Sequence, residues 1–153
     1  MLKALKWPMQ ILELLICNNE QAVLALREAR VVEALGQILV MFGWRPSKHK
    51  AEAVTVLKDT ARVLATVMVR ADAKRQFMAD SLQPLMSLFN LLREAGSVGR
   101  EAADQMELVA NGLKTTRIAT AEPAYMLKIH EQYGDFLVLV AHLMGRYGES
   151  KII

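Results

Sequence analysis

The chain has one cysteine, four prolines and eight glycines among its 153 residues. A single cysteine, Cys17, excludes an internal disulfide framework. It closes the apolar run Ile11 to Cys17, where a buried, inert thiol is expected, and a reducing compartment goes with that reading. Aromatic residues are also scarce, at 6%. Strands draw on aromatic and β-branched side chains, whereas this chain is rich in Ala, Leu, Met and Val, so packed helices are favoured over sheet. Long apolar runs are missing as well. Gln37 to Trp44 and Phe136 to Met144 are each under half of the roughly 20 residues a membrane span needs, so no membrane partner is expected. Lys3 and Lys6 precede an apolar stretch, but Pro8, Gln10 and Glu13 interrupt it and no small-residue cleavage site follows, which argues against a signal peptide.

No charge of one sign accumulates. The net charge is +3, and charges of both signs are interspersed, as in Lys48, Lys50, Glu52, Lys58, Asp59 and Arg62, the pattern of solvated helix faces. Arg70, Lys74 and Arg75 make a local basic patch without interleaved aromatics, which disfavours nucleic-acid stacking. His49, His130 and His142 lie far apart and form no i,i+4 pair, so neither a metal site nor a cofactor is expected. There is no CxxC, no Ser-His-Asp context and no phosphate loop; Gly96-Ser97-Val98-Gly99 follows a helix and reads as a linker. Glu13 with Glu20, and Asp104 with Glu107, read as polar helix faces. No catalytic residues are expected, and the chain is read as a non-enzyme.

What is present is a high apolar content, 53%, arranged at helical spacing. Pro8 suits a first helical turn, and the helix it belongs to carries Met9, Leu12, Leu15 and Ile16. Asn18 and Asn19 break that helix. Glu20 to Ala29 and Val31 to Phe42 follow as a short and a nearly all-apolar helix, ended by Gly43, Arg45 and Pro46. Ser47 is placed as the N-cap of a long helix, Lys48 to Val69, with Val54, Leu57, Ala61, Leu64 and Met68 on its inner face. Asp72 is placed as the cap of a short helix with Phe77 and Met78, and Asp80 or Ser81 as the cap of Leu82 to Glu94. Gly96 and Gly99 are read as a break, followed by helices over Arg100 to Thr115, from Glu122 and Pro123 onward, and over Asp135 to Arg146 after Gly134.

The order long, short, long recurs. Val31, Leu35 and Ile38 match Leu82, Met86 and Phe89 at a spacing of roughly 51 residues. The whole chain, 1–153, reads as one all-α domain of three helical repeats near 1–46, 47–96 and 97–147, with a tail at 148–153.

The polar turn Cys17-Asn18-Asn19-Glu20, the short helix and the small-residue elbow Glu28-Ala29-Arg30 before an apolar helix resemble the armadillo repeat. The resemblance covers residues 9 to 94, and 97 to 147 by helix order alone. It implies an armadillo/HEAT-like α-solenoid whose third helices line a concave binding groove. The elbow glycine of that family is missing, with Ala29 and Asp80 near its place. More narrowly, Met9 to Leu15 and Val31 to Leu39, a proline-bearing loop and a long Ala/Val/Leu helix resemble the C-terminal helical region of the abnormal spindle (microcephaly-associated) family. That likeness implies a C-terminal piece of a larger scaffold, a spindle or microtubule-associated protein as partner, and residence on the cytoplasmic cytoskeleton, at the spindle pole or centrosome, or in the nucleus.

The groove positions chosen on this basis are Arg30, Glu33 and Gln37; Gln83, Ser87 and Asn90; and Asp135, His142 and Arg146. Two rival readings compete with the protein-binding scaffold. One is a basic solenoid contacting tubulin or nucleic acid directly, and the other is a helical accessory domain of an enzyme or effector, which requires a deep pocket with convergent polar groups. At the ends, the C-terminal helix is expected to be the more polar cap. The N-terminal segment, with Leu2, Leu5 and Trp7, is expected to be the adhesive face, Trp7 packing on a neighbour or lying partly exposed.

Overall fold

The computed structural model describes residues 2–43, 50–79, 83–97 and 103–147. Among them it contains α-helices and no strand. In chain order these are α1 (Leu2–Ile16), α2 (Glu20–Glu28), α3 (Val31–Gly43), α4 (Lys50–Val67), α5 (Ala71–Ala79), α6 (Gln83–Ser97), α7 (Ala103–Ala119), α8 (Pro123–Gln132) and α9 (Phe136–Tyr147).

The α1–α2 turn uses both asparagines. Asn18 takes the left-handed region, φ 55°, which suits its short polar side chain. Asn19 is the N-cap of α2, its side-chain oxygen accepting from the Ala22 amide at 3.0 Å. At the α2–α3 elbow Arg30 is held at φ 56°, so the backbone there is of the kind that glycine adopts without penalty, one position beyond Ala29. Glu122 precedes α8, whose first turn starts on Pro123, where a missing amide hydrogen costs no helical bond.

Some boundaries differ from expectation. α5 starts at Ala71, so Asp72 lies inside the helix instead of capping it. α6 continues through Gly96 to Ser97, and α7 continues past Thr115 to Ala119. Thr115 thus lies inside α7, its hydroxyl donating to the Ala61 carbonyl of α4 at 2.9 Å in the core. Ser47, Asp80 and Ser81 lie outside the described residues. Cys17 is exposed, contrary to expectation. α1 buries Met9 and Ile16, and one residue further round the helix brings the chain to its solvent side.

The helices pack in two rows. α4 lies between α1 and α7, and α6 lies between α3 and α9, while α3 also meets α4 and α6 also meets α7. The core fills the space between them. α4 supplies Leu57 and Leu64 and the turn after it Met68, α6 supplies Leu85, Leu88, Phe89 and Leu92, and α3 supplies Leu35 and Leu39, all essentially inaccessible to solvent. The helix starts recur at 51 residues from Glu20 to Ala71, 52 from Val31 to Gln83, 52 from Ala71 to Pro123 and 53 from Gln83 to Phe136.

Close approach of α6 and α7 depends on Gly112. A Cβ there would lie 2.6 Å from Leu92 Cδ2, and Leu92 is itself buried and enclosed. Gly112→Val should therefore lower stability by about 2–3 kcal/mol, overpacking outweighing any gain in helix propensity. Chemical denaturation compared with Lys114→Val, on the exposed face of the same helix, measures this; equal losses would show that the contact does not matter.

Both outer faces carry apolar side chains. At the N-terminal end Trp7 is 68% exposed, with Ile11, Leu14 and Leu15 beside it on α1. At the other end Leu127, Leu137, Val138 and Met144 are exposed on α8 and α9. The expectation of a polar C-terminal cap is therefore corrected. The period of α9 turns Phe136, Leu139 and Leu143 toward the core and leaves Leu137, Val138 and Met144 on its outer side.

Candidate partner-binding groove

A cleft of about 320 Å³ opens between α3, α5 and the start of α6. α3 contributes Glu33, Gly36, Gln37, Val40 and Met41, α5 contributes Gln76 and Phe77, and α6 contributes Gln83 and Pro84. Gly36 lets α3 and the start of α6 approach closely at its floor, since a Cβ there would stand 3.3 Å from Pro84 Cγ. One part of the lining offers three carboxamides and a carboxylate, and the other is apolar. Each carboxamide can both donate and accept a hydrogen bond.

Glu33 is fixed in place. Arg30 Nη2 donates to its Oε1 at 2.6 Å, and Gln76 Nε2 donates to the same oxygen at 3.3 Å. The Arg30 hydrogen bond holds the Glu33 carboxyl below the usual carboxylate range, against a smaller opposing effect of burial. Glu33 is thus an anion at neutral pH.

Of the residues chosen from the sequence, Glu33, Gln37 and Gln83 line this cleft and Arg30 is bonded to it through Glu33. Ser87 is fully buried and presents nothing to the surface. Asn90 accepts a hydrogen bond from the Tyr133 hydroxyl at 3.3 Å, and Asp135 is hydrogen-bonded by Arg93, whose guanidinium lies 5.4 Å from the centre of the Tyr133 ring. These two bind α6 to the α8–α9 turn. Burial raises the Tyr133 hydroxyl above its usual pKa, so it stays a neutral donor to Asn90. His142 is exposed on α9, and the Arg146 side chain lies outside the described residues. The sequence reading missed Gln76 and Phe77. They belong to a short helix whose own periodicity says nothing about which neighbour it faces.

On the other row of helices, charges bridge α1, α4 and α7. Arg62 of α4 donates to Glu13 of α1 and, at 2.6 Å, to Glu107 of α7, which also accepts from Lys58 at 2.8 Å. Asp59 sits buried beside them, 3.9 Å from Arg62. Burial raises its carboxyl above the usual range, and Lys58 and Arg62 oppose that shift. Arg70 pairs with Glu20 at 3.0 Å and Lys74 with Glu122 at 3.9 Å, so two members of the basic patch read from the sequence are engaged by carboxylates.

Among the described residues no group of three or more His, Cys, Asp or Glu side chains is placed to hold a metal ion, and no helix is long and apolar enough to cross a membrane. Comparison of the chain with known family models, curated proteins and solved structures finds no match.

Proposed function

We propose that this chain is a non-catalytic, armadillo/HEAT-like α-solenoid segment that holds an extended segment of a partner protein in the cleft between α3, α5 and α6. The observation that carries this reading is the lining of that cleft. Gln37, Gln76 and Gln83 can match the alternating donors and acceptors of an extended backbone, while Val40, Met41 and Phe77 can take an apolar side chain. The solenoid part of the reading is supported by the starts of α2, α5 and α8, and of α3, α6 and α9, recurring every 51 to 53 residues, and by α1, α4 and α7, like α3, α6 and α9, packing each on the next of its kind. The resemblance to the abnormal spindle family makes a spindle or microtubule-associated protein the partner to test first.

Selection of peptides from a displayed random library, followed by fluorescence anisotropy on the enriched sequences, tests the cleft. Gln37→Ala and Met41→Asp, both at exposed positions, should each weaken binding at least about tenfold, roughly 1.4 kcal/mol. Their melting should stay within a few degrees of the parent. Enriched peptides that bind both variants as well as the parent would remove the cleft from consideration. In dividing cells, a tagged chain should concentrate at spindle poles and the Gln37→Ala variant should do so less; uniform distribution of the parent would exclude the spindle assignment.

A further inference from the structure

The two outer faces of the molecule differ in shape. α1 offers a convex stripe, Trp7, Ile11 and Leu14, spaced i, i+4, i+7 along one side of the helix, the pattern of a helix that docks in a groove. The far end offers a hollow. Between α8 and α9 lies a pocket of about 190 Å³, lined by Met126, Leu127, Ile129, Tyr133, Phe136 and Leu137. An apolar cavity of about 150 Å³ accommodates a benzene ring, so this one has room for an indole. α1 flanks α4 and α9 flanks α6, so stripe and hollow belong to opposite ends of the two rows.

Area selects the occupant. Taking side chains of about 150–250 Å² each, the exposed fractions of Trp7, Ile11, Leu14 and Leu15 amount to about 500 Å². Those of Met126, Leu127, Leu137, Val138 and Met144 amount to about the same. Together they reach about 1,000 Å², the area at which specific protein interfaces begin. Each alone is as large as the largest apolar patch on a typical monomer.

We propose that copies of this chain associate head to tail, Trp7 of one copy entering the pocket between α8 and α9 of the next while Ile11 and Leu14 lie along Leu137 and Val138. Because the joined surfaces differ, each added copy leaves one stripe and one pocket open, and the assembly has no built-in stopping point.

Sedimentation velocity over a range from micromolar to hundreds of micromolar tests this, with Trp7→Glu to spoil the stripe and Leu137→Glu to spoil the pocket. Both positions are more than three-fifths exposed, and circular dichroism checks that each variant folds; Trp7→Ser and Val138→Glu serve in their place if one does not. The mean mass of the parent should climb with concentration without levelling at a dimer. Each variant alone should be a monomer across the range. Mixed in equal amounts, the two variants should form one-to-one pairs and nothing larger, since each supplies the surface the other lacks. A parent that stays monomeric, a single variant that still dimerises or a mixture that stays monomeric would each overturn the proposal.

Discussion

Replacing Phe89 with alanine should lower the unfolding free energy by about 3–5 kcal/mol. Phe89 is 1% exposed, and its ring stacks at a tilt on Tyr133, with centroids 5.1 Å apart, and on Phe136, at 4.6 Å. Tyr133 closes α8 and Phe136 opens α9, so this one side chain of α6 anchors the last two helices at their joint. Truncation removes two aromatic contacts and leaves a void that three separate helices would have to move together to fill. Most domains of this size have only about 5–15 kcal/mol in hand. Denaturation by urea should show a midpoint shifted by a large part of its value, with α8 and α9 losing protease resistance first. A loss below about 1 kcal/mol would mean that the joint is held by something else.

Removing the Arg62 guanidinium is the second large perturbation, and its effect should depend on pH. Arg62→Met keeps most of the aliphatic stem and deletes the charge that Glu13, Asp59 and Glu107 share. Lys58 then remains, paired with Glu107 at 2.8 Å and still favouring the charged form of Asp59. A loss of about 2–3 kcal/mol at neutral pH is expected, below that of a fully buried pair because the arginine is about a third exposed. The folded protein already holds the Asp59 carboxyl above its usual range, chiefly through burial. A group raised in this way binds its proton more tightly folded than unfolded. Its contribution is therefore complete below the ordinary carboxylate range and is lost as pH rises through the higher folded value. Without Arg62 that shift grows. The deficit of the variant should be greatest at neutral pH and shrink on acidification toward the ordinary carboxylate range. A deficit constant with pH would rule out charge as its cause and point to lost packing by the arginine stem.

These two clusters differ in how far the sequence discloses them. Phe89 stands on an apolar stripe of period 3.6 and matches Ile38 one interval earlier, so its burial is visible from spacing alone. Asn18, Asn19 and Pro123 likewise announce their turns, because each has a local reason to sit where the chain leaves or enters a helix. Glu33, Gln37 and Gln83 are legible as the polar complement of apolar stripes. Ser87 is not, because α6 is packed against α3, α7 and α9, and a helix covered on so many sides need not turn its polar residues outward. Gln76 and Phe77 join the cleft through the approach of α5 to α3, and the Glu13–Arg62–Glu107 bridge depends on three helices lying abreast. Neither arrangement leaves a mark in the periodicity of any one segment. Cys17 fails for a smaller reason: one step of 100° separates it from Ile16, and an apolar run does not say where the inward arc of its helix stops.

The ties between helices also bear on how the chain comes together. Glu13 meets Arg62, Glu20 meets Arg70, Lys58 meets Glu107 and Asn90 meets Tyr133, each across 43 to 50 residues. Closing a loop costs entropy that grows only with the logarithm of its length, so each of these closures carries nearly the same penalty. The penalty for the third group of helices is that of the second, not that of a loop twice as long. On a ribosome, α4 to α6 can settle on α1 to α3 while α7 is still being made, and α7 to α9 then find a finished surface waiting. Assembly can thus proceed in the direction of synthesis, and the chain need not be complete before its first half is in place.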